Sequence, residues 1–317
     1  MKLLVTGGAG FIGSNFIRMM FAQYPGIEIT NLDKLTYAGN PENLKDISDP
    51  GYNFVQGDIC DSEIVMQAME EVDTVVHFAA ESHVDRSIKD SSVFVITNVV
   101  GTNNLLKCAM DSDINRFIHV STDEVYGSIR EGSFKETDIL NPSSPYSSSK
   151  AGSDLLAMSY YNTYGLPVII TRCTNNFGPY QYPEKLIPLF ITNLMDGKHV
   201  PVYGTGLNVR DWIYVEDHCS AIDFIMQHGK SGEIYNISGG NELTNLEITH
   251  RILKALGKDE SMIRYVEDRK GHDFRYSLDC SKLQKMGWKP QHDFDTALDA
   301  TIQWYIDNRW WWEPLKS

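Results

Sequence analysis

Tyr146-Ser147-Ser148-Ser149-Lys150 sets a phenol and an ammonium at i and i+4, on one face of a helix. An ammonium beside a phenol, with the cationic ring of a nicotinamide nearby, favours the phenolate. Tyr146 therefore reads as a base toward an alcohol near neutral pH, with Lys150 as its partner. Thr122-Asp123-Glu124 adds a hydroxyl and two carboxyls at the end of a β-branched run. Neighbouring side chains diverge there, so an acid and a base can address adjacent atoms of one substrate. Gly7-Gly8-Ala9-Gly10-Phe11-Ile12-Gly13 satisfies both GxGxxG and GxxGxxG. Such a loop lets backbone approach a pyrophosphate, and the helix behind it offers free N–H groups and a positive dipole end. Asp33 stands 20 residues beyond Gly13. A carboxylate there accepts both ribose hydroxyls and repels a 2′-phosphate, which favours NAD over NADP. Asp58 and Ile59 either hold the adenine edge or, through Asp58, cap a helix starting near Ser62.

These groups need a frame. Residues 3–6, 27–32, 53–56, 74–78, 116–120 and 168–173 are short apolar runs without clean alternation, as expected of parallel strands covered on both faces. Helical patterns at 14–23, 62–71, 92–110 and 147–164 lie among them. The series predicts an α/β fold, a Rossmann-type doubly wound parallel sheet, with the loop, Asp33 and the Thr122 triplet at its carboxyl edge. After Asn175 prolines and glycines become frequent, and the elements turn mixed: helices at 186–195, 215–227, 245–256 and 294–308, strands at 200–203 and 233–237. This predicts a smaller α/β substrate-binding lobe. We divide the chain into residues 1–174, an NAD-binding domain, and 175–317, a nucleotide-sugar lobe, with the chain free to cross between them.

The glycine start, the strand-end Thr122 and the YxxxK helix resemble the extended short-chain dehydrogenase/reductase family, from Met1 to the C-terminal helix. The segments Asp33–Gly39, Ala79–Asp85, Thr122–Gly127 and Arg269-Lys270-Gly271-His272-Asp273 resemble its nucleotide-sugar branch, and within that the 4,6-dehydratases. The resemblance implies dehydration of dTDP-glucose to dTDP-4-keto-6-deoxyglucose, an NAD-dependent hydro-lyase reaction supplying rhamnose or another 6-deoxyhexose. Tyr146 would deprotonate the C4 hydroxyl, Glu124 would take the C5 proton, and protonated Asp123 would help water leave C6. Thr122 would bond the C4 oxygen. Thr36, Ala79, Ala80, Ser82, Thr97 and Asn176 join the implied cofactor site. Ser82, His83, Asn175, Lys185, Leu186, Pro201, Tyr203, Arg210, Asn245, Arg269, His272 and Tyr276 form the implied substrate site. In it the cations clamp a diphosphate and Tyr203 stacks on the base. His83 reads equally as a structural histidine, and Cys173 as packing. The family's dimer interface implies a homodimer through helices 92–110 and 147–164, whose apolar positions (Phe94, Val95, Val99, Leu105, Leu106; Leu155, Leu156, Met158, Tyr161) allow two buried faces. A 4-epimerase, which has no need of the Asp123–Glu124 pair, and a non-catalytic NAD-binding protein are the competing readings.

Composition sets the outer limits. The chain has 317 residues, 42% of them hydrophobic, and a formal charge of −14. That argues against nucleic acid as a partner. Residues 1–170 hold 11 basic against 22 acidic side chains, and the remainder 17 against 20. The first half does not bind through bulk positive charge but can hold an anion through its glycine-loop amides, and the resemblance places a few cations in the second. No apolar run approaches a membrane span and no signal peptide is evident, so we expect a cytoplasmic protein without a membrane partner. The five cysteines lie 46 or more residues apart, and no histidine pair is closer than His77 and His83, so neither disulfides nor a metal site is expected. Trp310-Trp311-Trp312 either offers a sugar platform or anchors the last helix.

Overall fold

A computed structural model describes residues 1–269 and 271–316; Lys270, inside the Arg269–Asp273 motif, and Ser317 lie outside the described residues. The first-half strands are β1 (Lys2–Thr6), β2 (Glu28–Asp33), β3 (Tyr52–Gln56), β4 (Thr74–His77), β5 (Arg116–Thr122) and β6 (Val168–Cys173). The second half adds β7 (Asn175–Phe177), β8 (Val200–Tyr203), β9 (Val209–Tyr214), β10 (Ile234–Ile237), β11 (Glu242–Thr244) and β12 (Ile263–Val266).

Seven strands form one sheet in the order β10-β6-β5-β4-β1-β2-β3, every pair parallel. Alternate side chains feed two cores. Leu3, Val5 and Val76 pack on one face, beneath the Phe11–Gln23 helix. Leu4, Val75 and Phe117 pack on the other, with Leu105 and Leu106 from the helix ahead of β5. Burial of both faces is why the central strands read as continuous apolar runs.

Helices start and stop where the chemistry requires. Pro145 occupies the first turn of the Pro145–Tyr164 helix, Ser144 and Ser147 form its capping box, and Gly165 ends it at φ 75°. Its start lies two residues before the predicted 147. The Ser92–Asp111 helix contains a π-helical stretch, Val95–Gly101. It is 20 residues long and its most apolar 18-residue window has a mean hydropathy of 1.2, so by length and composition alone it reaches what a membrane span needs, contrary to expectation. Here Phe94, Leu105 and Leu106 are buried in the protein, whereas Val93, Ile96 and Val100 are exposed.

Four strands were not predicted: β7, β9, β11 and β12. They are three to six residues long and carry Asn, Arg, Asp and Glu, so no periodic apolar signal marks them. β11-β9-β7 form one small sheet and β12-β8 another. β10 belongs to the second half yet completes the large sheet beside β6, so the chain does cross back. The tryptophan run anchors rather than displays. Trp311 and Trp312 are buried, with Trp312 donating to the Tyr305 carbonyl, and only Trp310 is exposed.

Candidate active site

The glycine loop joins β1 to the Phe11–Gln23 helix. Gly7 has φ +73°, and a Cβ on Gly13 would lie 2.4 Å from the Gly7 carbonyl, so these two glycines close the turn on itself. Gly10 is the N-cap and supplies no side-chain cap, which leaves the first N–H groups of the helix open toward the cleft. Asp33 sits 8% exposed at the end of β2. One of its oxygens accepts the Ala9 N–H at 2.9 Å and the other the Leu35 N–H at 2.8 Å. Each keeps a lone pair for a ribose hydroxyl. Burial raises its pKa, and the two N–H groups oppose that. Asp61, not Asp58, caps the helix at Ser62, which removes the competing role. Asp58 instead pairs with Lys34 at 2.6 Å. Asp58 and Ile59, Phe11 and Ile12, Thr36, Ala79 and Ala80, Ser82, Thr97 and Asn176 all line the same cleft as the loop. The donors and the carboxylate fit a dinucleotide with free ribose hydroxyls.

Thr122, Asp123, Glu124, Tyr146 and Lys150 line that cleft too. Thr122 ends β5 and caps the short turn Asp123–Tyr126, accepting the Glu124 N–H at 3.2 Å; its hydroxyl also reaches Asp123 at 3.2 Å. The two carboxyls have different surroundings. Burial and the neighbouring Glu124 charge raise Asp123 well above the ordinary range, and Arg210 opposes this. Burial also raises Glu124, but Lys185, Arg210 and Arg269 all pull it back. The environment thus favours the neutral form more at Asp123 than at Glu124.

Burial first, then Glu124, Cys173 and Asp123, push the Tyr146 phenol well above its usual value, and the Thr122 hydroxyl opposes this; the expected phenolate rests on a cationic cofactor ring as well as on Lys150. Lys150 donates instead to the Val120 carbonyl at 2.8 Å, and burial lowers its pKa to about 8. Its buried ammonium costs stability below pH ~8, and the cost fades as pH rises toward its unfolded value. Cofactor-free Lys150→Met should therefore be more heat-stable at pH 7, by on the order of 2–3 kcal/mol, although the lysine is part of the chemistry. Thermal melts should show this gain shrinking above pH ~8; a pH-independent difference would refute it. Cys173 beside them is a thiol, pushed up to about 12 by burial and Asp123, and so no nucleophile.

The second lobe brings its cations to Glu124. Arg210, from β9, donates to the Asp273 carbonyl and stacks 4.3 Å from the Tyr276 ring, whose hydroxyl donates to Asp273 at 2.6 Å. Arg269 faces Asp85 at 3.7 Å, and its buried Nε has no hydrogen-bond partner among the described residues. His272 bonds Asp268 and meets the Tyr203 ring edge-on. Pro201 and Tyr203 lie on β8 beside this group. Asn175 and Leu186 line the cleft, and Lys185 reaches across it to the Ser82 carbonyl at 2.9 Å. Asn245 opens the Asn245–Ala255 helix and its N–H donates to the carbonyl of Asn208, whose amide donates to the same Asp273 carbonyl as Arg210. His83 caps the Val84–Lys89 helix and faces Glu184 at 3.6 Å, the structural role open to it.

The comparisons agree with this arrangement. The family model described as GDP-mannose 4,6 dehydratase matches residues 4–301. A dTDP-glucose 4,6-dehydratase of Streptomyces niveus is 54% identical over 323 residues, covering 100% of this chain and 96% of that protein. The crystal structure of DesIV (dTDP-glucose 4,6-dehydratase) from Streptomyces venezuelae, with NAD and TYD bound, matches with a TM-score of 0.98 at 56% identity, covering 99% of this chain and 100% of that one. The chain belongs to the dTDP-glucose 4,6-dehydratase family. A UDP-glucose 4-epimerase from Thermus thermophilus, in complex with NAD, shares the fold with a TM-score of 0.90 but only 31% identity, covering 96% of this chain and 99% of that one.

Some residues around this dehydratase cleft carry no motif signal. Glu184, in the second lobe, accepts from the Tyr37 hydroxyl at 2.7 Å and pairs with Arg86, which stacks 3.5 Å over the Tyr37 ring. Asn98, in the π stretch, clamps the Glu81 backbone in both directions and donates to Ser149 at 2.9 Å. Beneath Lys150, Asp154 pairs with Arg172 at 2.8 Å and His119 at 3.3 Å. A charged residue four positions after Lys150 was the one available hint.

Proposed function

We propose that this chain converts dTDP-glucose to dTDP-4-keto-6-deoxyglucose, as an NAD-dependent hydro-lyase. The observation that carries the reading is the Asp123–Glu124 pair, both raised by burial but with Lys185, Arg210 and Arg269 opposing at Glu124, within one cleft with Tyr146 and Lys150. When bound, NAD accepts the C4 hydride and returns it at C6, and its cationic ring favours the phenolate that the protein alone does not. Tyr146 takes the C4 hydroxyl proton. The C4 ketone acidifies C5–H, which Glu124 removes, and Asp123 gives its proton to the departing C6 hydroxyl. Glu124 then reprotonates C5. Tyr146 ends the cycle one proton richer and Asp123 one poorer. Thr122, bonded to Asp123 and facing the phenol, lies between them.

Residues 1–174 serve the cofactor and 175–317 the sugar nucleotide, with Arg210, Arg269 and Lys185 at the diphosphate and Tyr203 at the base. We place a homodimer on the Ser92–Asp111 and Pro145–Tyr164 helices. The expected positions Phe94, Leu105 and Leu106 are spent on the protein's own core, and Val93, Ile96, Val100 and Leu155 supply the outward face. Five unpaired cysteines suit the reducing cytoplasm, and the product suits rhamnose or another 6-deoxyhexose. Incubation with dTDP-glucose and catalytic NAD should yield a sugar with alkali-induced keto absorbance. Recovery of dTDP-galactose alone would establish the epimerase instead. Unchanged NAD binding in Tyr146→Phe, with neither form turning over a nucleotide-sugar panel, would establish a non-catalytic protein.

A further inference from the structure

The tryptophan run has a member whose hydrogen bond leads to the glycine loop. The Trp311 indole N–H donates to Asn43 Oδ1 at 2.8 Å, across 268 residues of sequence. The other end of the same amide, Asn43 Nδ2, donates to the Ala9 carbonyl at 2.9 Å. That carbonyl also accepts the Asn40 N–H at 2.9 Å, and the Ala9 N–H is the group that holds Asp33. Trp311, Asn43 and Ala9 are all at most 3% exposed.

An indole N–H only donates, so the Asn43 atom facing it must be the amide oxygen. The NH₂ end is then directed at Ala9. Trp311 thus selects one of the two orientations open to the amide, and that orientation fixes the Ala9 peptide. One side of Ala9 sets the ribose carboxylate, and the other leads into Gly10 and the open helix end. The indole ring itself is wedged against Tyr180 and Trp304, so its N–H direction is fixed.

We propose that Trp311 is a positioning residue for the dinucleotide: through Asn43 it sets the Ala9 peptide in the geometry that binds NAD. The proposal rests on the NAD reading of the glycine loop. Trp312 is the internal comparison. It is equally buried, but its N–H ends on Tyr305, within the C-terminal segment.

The test is calorimetric titration of cofactor-free full-length protein with NAD, alongside thermal melts. Trp311→Phe keeps an aromatic ring and loses the N–H. NAD affinity should fall about fivefold to tenfold, as for loss of one buried hydrogen bond, with kcat at saturating NAD unchanged. Asn43→Asp accepts from Trp311 but cannot donate to Ala9. It should weaken NAD to a similar degree, and the double variant should be no worse than the weaker single. Trp312→Phe should lower Tm while leaving NAD affinity within twofold of wild type. If Trp311→Phe fails to fold, Asn43→Asp decides by the same criterion. NAD affinity unchanged in Trp311→Phe and Asn43→Asp, or lost equally in Trp312→Phe, overturns the proposal. Wild-type protein without NAD affinity would overturn the cofactor reading itself, and this proposal with it.

Discussion

Tyr146→Phe should lower turnover of dTDP-glucose by about three orders of magnitude, within the range of a lost general base. The hydroxyl is the group in the cleft that the mechanism places on the C4 alcohol, and without it no proton leaves as the C4 hydride does. The fold should survive. Tyr146 is 8% exposed, its backbone N–H donates to Ser87 Oγ, and its ring meets Phe94 edge-on at 6.3 Å; a phenyl ring keeps both contacts. NAD affinity should therefore stay close to wild type while C4 oxidation disappears. Stopped-flow detection of reduced cofactor measures the first step directly. A variant that still reduces its cofactor at a rate within tenfold of wild type would remove Tyr146 from the role of base.

Asp123→Asn should separate the steps that Tyr146→Phe abolishes together. Asp123 is buried, raised by burial and the Glu124 charge, and one of its oxygens has no partner among the described residues. A neutral acid there loses little on replacement by an amide of the same shape, so stability should change by under about 1 kcal/mol. The amide cannot give a proton to the C6 hydroxyl. Overall turnover should fall about 100-fold, the lower part of the range for acid catalysis, whereas C4 oxidation should continue. Reduced cofactor should then build up together with the 4-keto hexose that still carries its C6 hydroxyl. Quenched-flow mass spectrometry distinguishes that species from the dehydrated product. If oxidation and elimination slow by the same factor, Asp123 does not act at C6.

Much of this was legible before any coordinates. The glycine loop, Asp33, the Thr122 triplet and the Tyr146–Lys150 pair are local in sequence. Each needs only a strand, a turn and a helix to acquire its meaning, and periodicity supplied those. The second lobe was less legible because its strands are short and polar. The Arg210 strand carries Asp211 and Trp212, whose partners lie elsewhere: Asp211 accepts from Ser238 and from the Asn241 N–H. A polar side chain satisfied by a distant residue leaves no periodic trace.

The composition excluded binding through bulk positive charge in the first half. The motifs determined the sheet and the cofactor class and named a candidate catalytic set. Protonation states were decided only by tertiary structure, because they depend on burial and on charges brought from remote segments. Folding buries the Tyr146 phenol beside two carboxyls, which raises it, and turns Lys150 toward Val120; the spacing of the two residues shows neither effect. Burial raises both Asp123 and Glu124, and the leading opposition differs: Arg210 at Asp123, and Lys185, Arg210 and Arg269, brought from remote segments, at Glu124. The link from Trp311 to Ala9 has the same origin: a hydrogen bond spans about 3 Å wherever the fold brings its ends together, whatever their separation in sequence.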